Sequence, residues 1–414
     1  MTFTPAEDLI LPDVLVPISL IESPEQVGGT SNGDCIAGDL VFRDGQFHHI
    51  QPTSRSRALR LVLPKLTECH VHLDKCHTIS RIAGVGGDLR AAILKQEVDK
   101  RHWTEEDVRQ RAMRGLHELI EAGCRNVRSH LDWTTTDGST ALPHSWHVLN
   151  EIAQAHREQV SLQLSPLIGI DQYCHPGFAV SIAGQLAKSG GVLGAFVFDQ
   201  ADRRTGIEAI VTAADSHGLA LDFHVDEGLS DGLDGLEIIA DTVIETGYEG
   251  PVLCSHACSL MNLNTEDLKR LGRKLVHAGI TIASLPVTNL YLQGRNGGTP
   301  DRRGITRIRE LREMGVSVVV GTDNVRDAFC PIGQHNPLQT LMHAVLAAHL
   351  DPPFGRYLPM ISTTAESALG LFPTWIDSAG VDDLVIFDVS NISDLLSNTA
   401  SPKPLSSLLQ GEPA

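Results

Sequence analysis

The chain has 414 residues, with 33 lysines and arginines against 51 aspartates and glutamates, which gives a formal net charge of −18 at pH 7. This acidic balance argues against nucleic acid or an anionic membrane surface as the main partner, because binding phosphate groups requires a basic face. Hydrophobic residues make up 42% and charged residues 20% of the chain, a composition typical of a soluble protein with an ample core. No apolar run reaches the roughly 18 residues of a membrane helix.

The N-terminus and the cysteines indicate the compartment. Residues 1–8 lack the basic and apolar regions of a signal peptide. The eight cysteines are scattered and contain no paired C-x-x-C spacing, so they do not indicate a disulfide scaffold. We therefore expect a cytoplasmic protein with reduced cysteines.

The two chain ends carry short strand-like runs. In the N-terminal part these are residues 14–20, 39–42 and 46–50, separated by glycine-rich turns, and a run of the same character lies at 381–389. Chain termini often lie close together. The pattern predicts one small β domain formed by residues 1–61 together with 376–414.

Between the two ends, apolar strand-like runs alternate with helical patterns at a spacing suited to βαβ units. The predicted strands are 61–66, 126–130, 160–168, 192–198, 220–224, 251–256, 281–285 and 317–321. Helical stretches lie, for instance, at 105–122, 144–156, 237–246, 266–278 and 305–314. Eight such units predict an α/β protein with a (β/α)8 TIM-type barrel over residues 62–375, whose chemistry lies at the carboxyl ends of the strands. A doubly wound sheet is the alternative, but it usually has a glycine-rich phosphate loop after its first strand, and none follows here.

A pair of histidines, His70 and His72, follows the first predicted strand. Residues i and i+2 of a strand point to the same face, so both imidazoles can reach one point. Imidazole is the commonest protein ligand of first-row metals. Four later strand ends also carry histidines or acids, namely His130 with Asp132, His224 with Asp226 and Glu227, His256, and Asp323. Because these strand ends meet at one face of a barrel, the sequence predicts a metal-dependent catalytic site there.

The motifs around these residues resemble those of the amidohydrolase superfamily, and more narrowly its bacterial cytosine deaminase branch. The resemblance covers about residues 62–372 and rests on the motifs at 68–75 (ECHVHLDK), 222–227 (DFHVDE), 255–257 (SHA), 289–295 (NLYLQGR), 302–307 (RRGITR) and 321–327 (GTDNVRD). It implies a (β/α)8 barrel beside a small β-sandwich built from both chain ends. It also implies a homo-oligomer with a small-molecule substrate.

The resemblance further implies the ligands and the cofactor. One divalent transition metal, Fe2+ or Zn2+, is expected on His70, His72, His224 and Asp323. No lysine occurs in the fourth predicted strand or just after it, at 192–199, so the carbamylated lysine of binuclear relatives is not expected.

Three residues are expected to perform the catalysis. By the same resemblance, Glu227 shuttles a proton to the substrate ring, and His256 and Asp323 activate the attacking water. The implied activity is hydrolysis of a carbon–nitrogen bond other than a peptide bond. Specifically, we expect deamination of an aminated N-heterocycle, cytosine or a related pyrimidine, with release of ammonia. The zinc cytidine-deaminase signature, H-x-E with P-C-x-x-C, is absent from the sequence.

The expected substrate contacts are Gly169, Gln172, Asn324 and Phe329. They fall where cytosine deaminases carry a glutamine, an aspartate and a tryptophan. Because these pocket residues are replaced here, the sequence does not determine which ring is the substrate. Lys75 is expected to pair with a carboxylate, and Trp133 either lines the pocket or packs in the core.

Two other activities and one inactive role stay open as alternatives. The chain could hydrolyse N-substituted aminotriazines, or cyclic amides and ureas as dihydroorotase-like enzymes do. Glu227 after His224 and the missing lysine favour deamination over the cyclic-amide reaction. A barrel that serves only in binding or assembly should have lost its ligands, and all four ligand positions are intact here.

Overall fold

The computed structural model describes residues 8–53, 59–133, 138–397 and 400–409. The N-terminal residues 1–7 and the outermost parts of the predicted small domain lie outside these ranges, so the signal-peptide prediction does too. The strands are β1 (Leu9–Pro17), β2 (Thr30–Asn32), β3 (Cys35–Arg43), β4 (Gln46–Gln51), β5 (Arg60–Pro64), β6 (Leu66–Val71), β7 (Cys124–Asp132), β8 (Ser161–Leu167), β9 (Leu193–Val197), β10 (Leu221–Val225), β11 (Val252–His256), β12 (Thr281–Ser284), β13 (Val318–Val320), β14 (Leu384–Phe387) and β15 (Lys403–Pro404).

The α-helices are α1 (Leu89–Asp99), α2 (Glu105–Glu121), α3 (His144–His156), α4 (Phe178–Ser189), α5 (Arg203–His217), α6 (Gly235–Thr246), α7 (Thr265–His277), α8 (Pro286–Leu292), α9 (Ile308–Glu313), α10 (Pro337–Ala347), α11 (Thr363–Ala368), α12 (Ile392–Leu396) and α13 (Leu405–Leu409). Short 3-10 segments lie at Ile18–Leu20, Ile79–Arg81, Lys100–His102, Ile170–Cys174, Cys258–Asn262, Phe354–Ile361, Ile376–Ser378 and Val381–Asp383. None of the described helices combines the length and the apolar character needed to cross a membrane.

Strands from both chain ends form one seven-stranded mixed sheet in the order β15-β14-β5-β1-β3-β2, with β4 paired to β3. The C-terminal strand β14 runs antiparallel to β5, from Leu384 opposite Pro64 to Phe387 opposite Leu61. All four residues of β14 are buried. Within the described residues these seven strands belong to a single sheet, so both ends of the chain contribute to it.

The central part of the chain forms two parallel sheets, one of three strands in the order β6-β7-β8 and one of five in the order β13-β12-β11-β10-β9. Strands β6, β10 and β11 are buried along their whole length, as expected for parallel strands covered on both faces. Isolated parallel bridges join Gly169 to Phe196 and Val71 to Asp323, at the two edges where the sheets meet. The α/β class with parallel sheets is therefore confirmed, although the strands are not hydrogen-bonded as one continuous eight-stranded sheet.

The first predicted strand, 61–66, is wrong, because the chain changes partners within it. Strand β5 ends at Pro64 in the mixed sheet, and β6 begins at Leu66 in the three-stranded sheet. Lys65 donates its backbone N–H to Asp383 O at 2.8 Å, whereas Leu66 donates to Gly123 O at 2.8 Å. The strand that carries His70 is thus β6. The other seven predicted strands overlap β7 to β13.

The helices begin where the sequence provides caps. The Thr104 side chain accepts a hydrogen bond from the Asp107 N–H at the start of α2, whose first turn is acidic and so complements the helix dipole. Val108, Ala112 and Leu116 lie on the buried face of α2, spaced four residues apart. This face packs into the core that holds the three-stranded sheet.

Candidate active site

The four predicted metal ligands come together at the carboxyl ends of the parallel strands. His70 lies in β6 and His72 just after it, His224 lies in β10, and Asp323 follows β13; all four are buried. Asp323 Oδ1 lies 3.2 Å from His72 Nε2 and 3.5 Å from His70 Nε2. His224 Nε2 lies 3.2 Å from His72 Nε2. The ring nitrogens and the carboxylate therefore face one another across a small gap.

The Nδ1 atoms of His70 and His72, on the other side of each ring from Nε2, contact other groups of the protein. His72 Nδ1 lies 3.2 Å from the backbone oxygen of His130, and His70 Nδ1 lies 2.8 Å from Ser255 Oγ. A carbonyl oxygen can only accept, so Nδ1 of His72 carries the proton and its Nε2 presents a lone pair. Hydrogen bonds of this kind set the tautomer of histidines that ligate metals.

The donor set fits a divalent transition metal. His70 Nε2 and both carboxylate oxygens of Asp323 are buried, yet they have no hydrogen-bond partner among the described residues. Buried polar atoms are normally satisfied, so such a group of atoms turned toward one point indicates a missing cation. Imidazole nitrogens with one carboxylate suit zinc or iron.

Protonation states also suit metal binding. Burial lowers the pKa of His70 to about 4 and the pKa values of His72 and His224 well below the usual range. Burial opposes ionisation of Asp323, but the adjacent His70 and His72 hold its pKa well below the usual range. Neutral imidazoles and an ionised carboxylate are the forms that ligate a metal.

A second set of donors overlaps the first. One atom each of His70, His130, Asp222 and His224 lies within 4.8 Å of the others. Asp222 already lies 2.9 Å from Arg128 Nη1 and 2.9 Å from His130 Nε2, so its charge is compensated. Neither His130 nor Asp222 lines the cavity described below, whereas Asp323 does. The set with Asp323 is therefore the one that can act on a substrate.

Two residues whose role was not predicted from the sequence, Glu68 and Gly321, connect the strand that carries His70 to the turn that carries Asp323. The buried carboxylate of Glu68 accepts hydrogen bonds from the backbone N–H of His70 at 3.0 Å and of Thr322 at 3.1 Å. A Cβ added at Gly321 would lie 2.7 Å from the Cβ of His70. Glu68 and Gly321 thus hold β6 against the turn that presents Asp323. In the sequence, the only indication of this supporting role is position: Glu68 lies two residues before His70, and Gly321 lies two residues before Asp323.

Glu227 and His256 flank the metal ligands. The Asn289 amide nitrogen lies 3.1 Å from His256 Nδ1 and donates to it, so the neutral ring carries its proton on Nε2, which has no partner among the described residues. Glu227 Oε1 lies 3.5 Å from His256 Nδ1. Burial lowers the pKa of His256 to about 3, and burial together with Asp323 raises the pKa of Glu227 well above its usual range. Both shifts favour the uncharged form of each group, a neutral imidazole and a protonated acid.

The backbone turns sharply at two of these strand ends. His256 has φ 71° and Asp323 has φ 65°. Left-handed conformations of non-glycine residues cost about 1–3 kcal/mol and persist where the surroundings enforce them, commonly at functional sites. These turns point successive strand-end side chains into one cavity.

This cavity has a volume of about 240 Å³. His72, His224, His256, Glu227 and Asp323 form one part of its wall. The rest is formed by Lys75, Leu89, Ile93, Gln96, Glu97, Lys100, Asp132, Trp133, Leu167, Gly169, Phe196, Asn324 and Phe329. The wall thus combines a cluster of polar and charged groups with apolar and aromatic side chains, an arrangement suited to a small polar ring.

The structure brings three of the four predicted substrate contacts to this wall, namely Gly169, Asn324 and Phe329. Gln172 is not part of it: its Oε1 accepts from Gly138 N at 3.2 Å and its Nε2 donates to Asp171 at 3.3 Å. Lys75 forms the predicted ion pair, at 2.9 Å from Asp132.

Sequence reasoning missed Gln96. This residue of α1 is 1% exposed, lines the cavity, and has no hydrogen-bond partner on either side-chain atom among the described residues. Trp133 Nε1 is likewise buried without such a partner. Both groups can hydrogen-bond to a ligand in the cavity. The one sequence feature that could have indicated this role is a polar glutamine on the buried face of the first helix after the His70–His72 pair.

Comparisons with known proteins agree with this geometry. A model of the amidohydrolase family matches residues 183–401. A pterin deaminase of Rhizobium rhizogenes is 31% identical over 388 residues, covering 91% of this chain and 87% of the relative.

Two solved structures share the fold. A 5-methylcytosine deaminase of Klebsiella pneumoniae, solved with phosphonocytosine, has a TM-score of 0.76 at 23% identity and covers 95% of each chain. An N-isopropylammelide isopropylaminohydrolase of Burkholderia multivorans has a TM-score of 0.71 at 20% identity, also over 95% of each chain.

Proposed function

The chain belongs to the amidohydrolase family, and we propose that it is a metal-dependent deaminase that releases ammonia from an aminated N-heterocycle. One observation carries the proposal: three of the four metal donors line a single cavity together with the two expected proton-transfer groups, namely His72, His224, Asp323, Glu227 and His256. The fourth donor, His70, lies behind this wall with its Nε2 3.5 Å from Asp323 Oδ1. Protein groups of these types supply water activation and proton transfer, the two needs of a hydrolytic deamination.

The reaction divides among the residues as follows. A bound divalent metal lowers the pKa of a coordinated water from about 15.7 towards 7. Asp323 accepts the water proton, and His256 Nε2–H donates a hydrogen bond to the attacking oxygen. Glu227 protonates the ring nitrogen next to the carbon that carries the amino group. The proton that Asp323 took from water is passed to the leaving amino group, directly or through Glu227, and ammonia departs. The proton given by Glu227 stays on the ring nitrogen, and the hydroxyl proton of the adduct restores Glu227 as the carbonyl forms, in keeping with general acid–base catalysis.

The metal is proposed to be Fe2+ or Zn2+, one ion held by His70, His72, His224 and Asp323. Three imidazoles and one carboxylate suit either ion. No lysine lies in β9 to bridge a second ion at this position.

A pterin is the first substrate to test, with cytosine and isocytosine next. The relative with 31% identity is a pterin deaminase. Pterins and these pyrimidines share an amino-substituted carbon beside a ring nitrogen and a nearby amide edge. The free amide of Gln96 can pair with such an edge, while Phe196 and Phe329 provide apolar walls.

We propose that the two parallel sheets form a (β/α)8 barrel that begins at Leu66 and extends to about residue 375, and that the chain up to Pro64 together with 376–414 forms a separate small β domain. The boundary lies later than the 61/62 that the sequence predicted, because β5 (Arg60–Pro64) pairs with β1 and β14. The bridges Gly169–Phe196 and Val71–Asp323 support the barrel, because each one lies where an edge of the three-stranded sheet adjoins the five-stranded sheet. The pairing of β14 with β5 supports a domain built from both ends.

A homo-oligomer in the cytoplasm is also proposed. The oligomer rests on the family resemblance, and the location rests on the scattered cysteines without a paired spacing. Light scattering after gel filtration measures the oligomeric state directly. A monomer at micromolar concentration would contradict it.

The decisive experiment is ammonia release by metal-loaded protein on pterin, cytosine, isocytosine and aminotriazines. Turnover of at least one aminated ring is expected. Release of an alkylamine from N-alkylaminotriazines alone, or hydrolysis of cyclic amides alone, would replace the proposal with one of the two alternative hydrolases.

Metal content tests the site independently of substrate. The His70→Ala/His72→Ala variant should hold one metal equivalent fewer than the parent chain in elemental analysis, because it loses two of four donors. His48→Ala/His49→Ala, in β4 of the mixed sheet, is the matched control and should lose none. Unchanged metal in the first variant would refute the assigned ligands.

Gln96→Leu tests substrate recognition. This change keeps a side chain of similar size but removes the amide, so KM should rise roughly 10- to 100-fold, the equivalent of about 1–3 kcal/mol for a lost buried hydrogen-bond partner. Metal content should be unchanged. Gln110→Leu, an exposed site on α2, is the control. A parental KM for Gln96→Leu would exclude a contact with substrate.

A further inference from the structure

Away from the cavity, three residues that are distant in sequence meet on one flank of the molecule. His77 follows β6, Glu118 lies in α2, and His335 precedes α10; we call them the flank cluster. One donor atom of each lies within 4.8 Å of the others. Glu118 Oε1 lies 3.5 Å from His77 Nε2, and Glu118 Oε2 lies 2.9 Å from His335 Nδ1. None of the three lines the catalytic cavity.

Hydrogen bonding leaves this cluster incomplete. Both ring nitrogens of His77 and Nε2 of His335 are buried and have no hydrogen-bond partner among the described residues. The His335 side chain is 0% exposed and that of His77 is 3% exposed. Buried histidine nitrogens are normally satisfied by protein or water, so three unpartnered ones at one place point to a ligand that the protein atoms do not supply.

The charge states of the cluster suit a cation. Burial lowers the pKa of His77 to about 4, so its ring is neutral at pH 7. Burial opposes ionisation of Glu118, but His335 and His77 lower its pKa to about 2. Two imidazoles and a carboxylate form a donor set that binds zinc and other first-row metals.

Open space lies beside two of the three residues, and the donor distances are close to those of a metal site. A second cavity, of about 290 Å³, borders Glu118 and His335. A Cβ added at Gly115 would lie 3.0 Å from His335 Cε1, so this glycine of α2 makes space for the ring. In a tetrahedral site with bonds of about 2 Å, donor atoms lie about 3.3 Å apart. The 3.5 Å between His77 and Glu118 already approaches this separation.

We propose that His77, Glu118 and His335 bind a second divalent transition metal, of the zinc class, in a structural site. The ion would connect the segment after β6, helix α2 and the segment before α10. The His77 backbone N–H also donates to Val325 O at 3.0 Å, within the turn that follows Asp323. The proposed ion would therefore stabilise the segment after β6 and, through this hydrogen bond, the turn after Asp323, without itself lying in the catalytic cavity.

The positively charged side chain of Arg114 lies next to the proposed metal ligand Glu118. Arg114 Nε lies 3.6 Å from Glu118 Oε1, and its side chain is 56% exposed. An exposed arginine of this kind adds little stability and can turn to solvent when an ion binds. Without a metal, Glu118 would hydrogen-bond, among the described residues, only to the backbone N–H and the Nδ1 of His335, and the remaining ring nitrogens would stay unpartnered.

Metal stoichiometry tests the proposal, with zinc as the probe. Purified protein loaded with Zn2+ and dialysed should hold two equivalents per chain. His335→Gln should hold one, His70→Ala/His72→Ala should hold one, and the triple variant should hold none. His117→Gln, an exposed histidine next to Glu118 on α2, should keep two.

A second variant separates metal loss from misfolding. Glu118→Gln preserves the hydrogen bond to His335 but removes the charge, and it should also lose one equivalent while keeping the parental circular dichroism spectrum. Zn2+ should raise the Tm of His70→Ala/His72→Ala but not that of its combination with Glu118→Gln. Two equivalents in both Glu118→Gln and His335→Gln, or none in His70→Ala/His72→Ala, would overturn the second site without touching the proposed catalytic activity.

Discussion

Burial gives Glu227 the character of an acid. Its side chain is nearly inaccessible, and the charge of Asp323 lies nearby, so burial and that charge raise its pKa well above the usual range of a glutamate. A carboxylic acid that stays protonated at neutral pH can deliver a proton, as active-site carboxyls commonly do. The spacing of three residues from His224 places Glu227 beside the metal ligands, and its burial next to the charge of Asp323 favours the protonated form.

Glu227→Gln should lower kcat by about 10²- to 10⁴-fold, the usual contribution of a positioned proton donor. Glutamine fills the same space but cannot transfer a proton, so metal content and Tm should match the parent. Steady-state kinetics on the substrate found in the ammonia screen measures the effect, with Glu208→Gln on the exposed face of α5 as control. A parental kcat would assign the proton transfer to another residue.

Ion pairs connect helices α6 and α7, which follow successive strands of the five-stranded sheet. Glu237 of α6 bonds to Arg270 and, at 2.8 Å, to Lys274, both in α7. Lys274 also lies 2.6 Å from Asp241 of α6. The hydrogen bond from Arg270, followed by the effect of Lys274, lowers the pKa of Glu237 to about 2. The network stabilises the packing of two helices that the sequence predicted separately.

Glu237→Gln should lower the free energy of unfolding at pH 7 by about 0.5–1 kcal/mol, the range of partly exposed ion pairs. Because the folded pKa of about 2 lies below the usual 4.5, this contribution is complete above pH 4.5 and disappears as the pH falls toward 2. Urea unfolding at pH 7 and pH 3 measures it. Glu245→Gln, exposed on the same helix, is the control. A difference that persists undiminished at pH 3 would contradict the electrostatic explanation.

At the scale of the whole molecule, one buried arginine joins the two parallel sheets. Arg128 lies in β7 of the three-stranded sheet, is 0% exposed, and bonds to Asp222 of β10 in the five-stranded sheet at 2.9 Å. It also donates to Gln163 Oε1 at 2.7 Å and to Leu369 O at 3.1 Å. A buried charge is tolerated only when paired and hydrogen-bonded, and Arg128 meets both conditions.

Arg128→Met should lower the free energy of unfolding by about 3 kcal/mol, because it removes the cationic partner of the buried Asp222 and leaves that charge beside His130. Adding Asp222→Asn should recover part of this loss, since the remaining group is neutral. Chemical denaturation of both variants and of Asp222→Asn alone completes a double-mutant cycle. No recovery in the double variant would mean that the loss comes from packing and not from the unpaired charge.

Much of the architecture and of the candidate site follows from local features of the sequence. The two-residue period put His70 and His72 on one face, and alternating strand and helix patterns located β7 to β13. These signals depend on near neighbours in the chain, so they can be recognised without a structure. The amidohydrolase resemblance drawn from the motifs is confirmed by the family match over residues 183–401.

Tertiary structure decided what depends on distant partners. The break between β5 and β6 exists because Lys65 pairs with Asp383 and Leu66 with Gly123. The amide of Gln96 faces the cavity only because α1 packs over it. The flank cluster joins positions 77, 118 and 335. The chain therefore encodes the chemistry of individual strand ends locally, while their supports, the substrate wall and the second cluster arise from contacts across hundreds of residues, which no local pattern records.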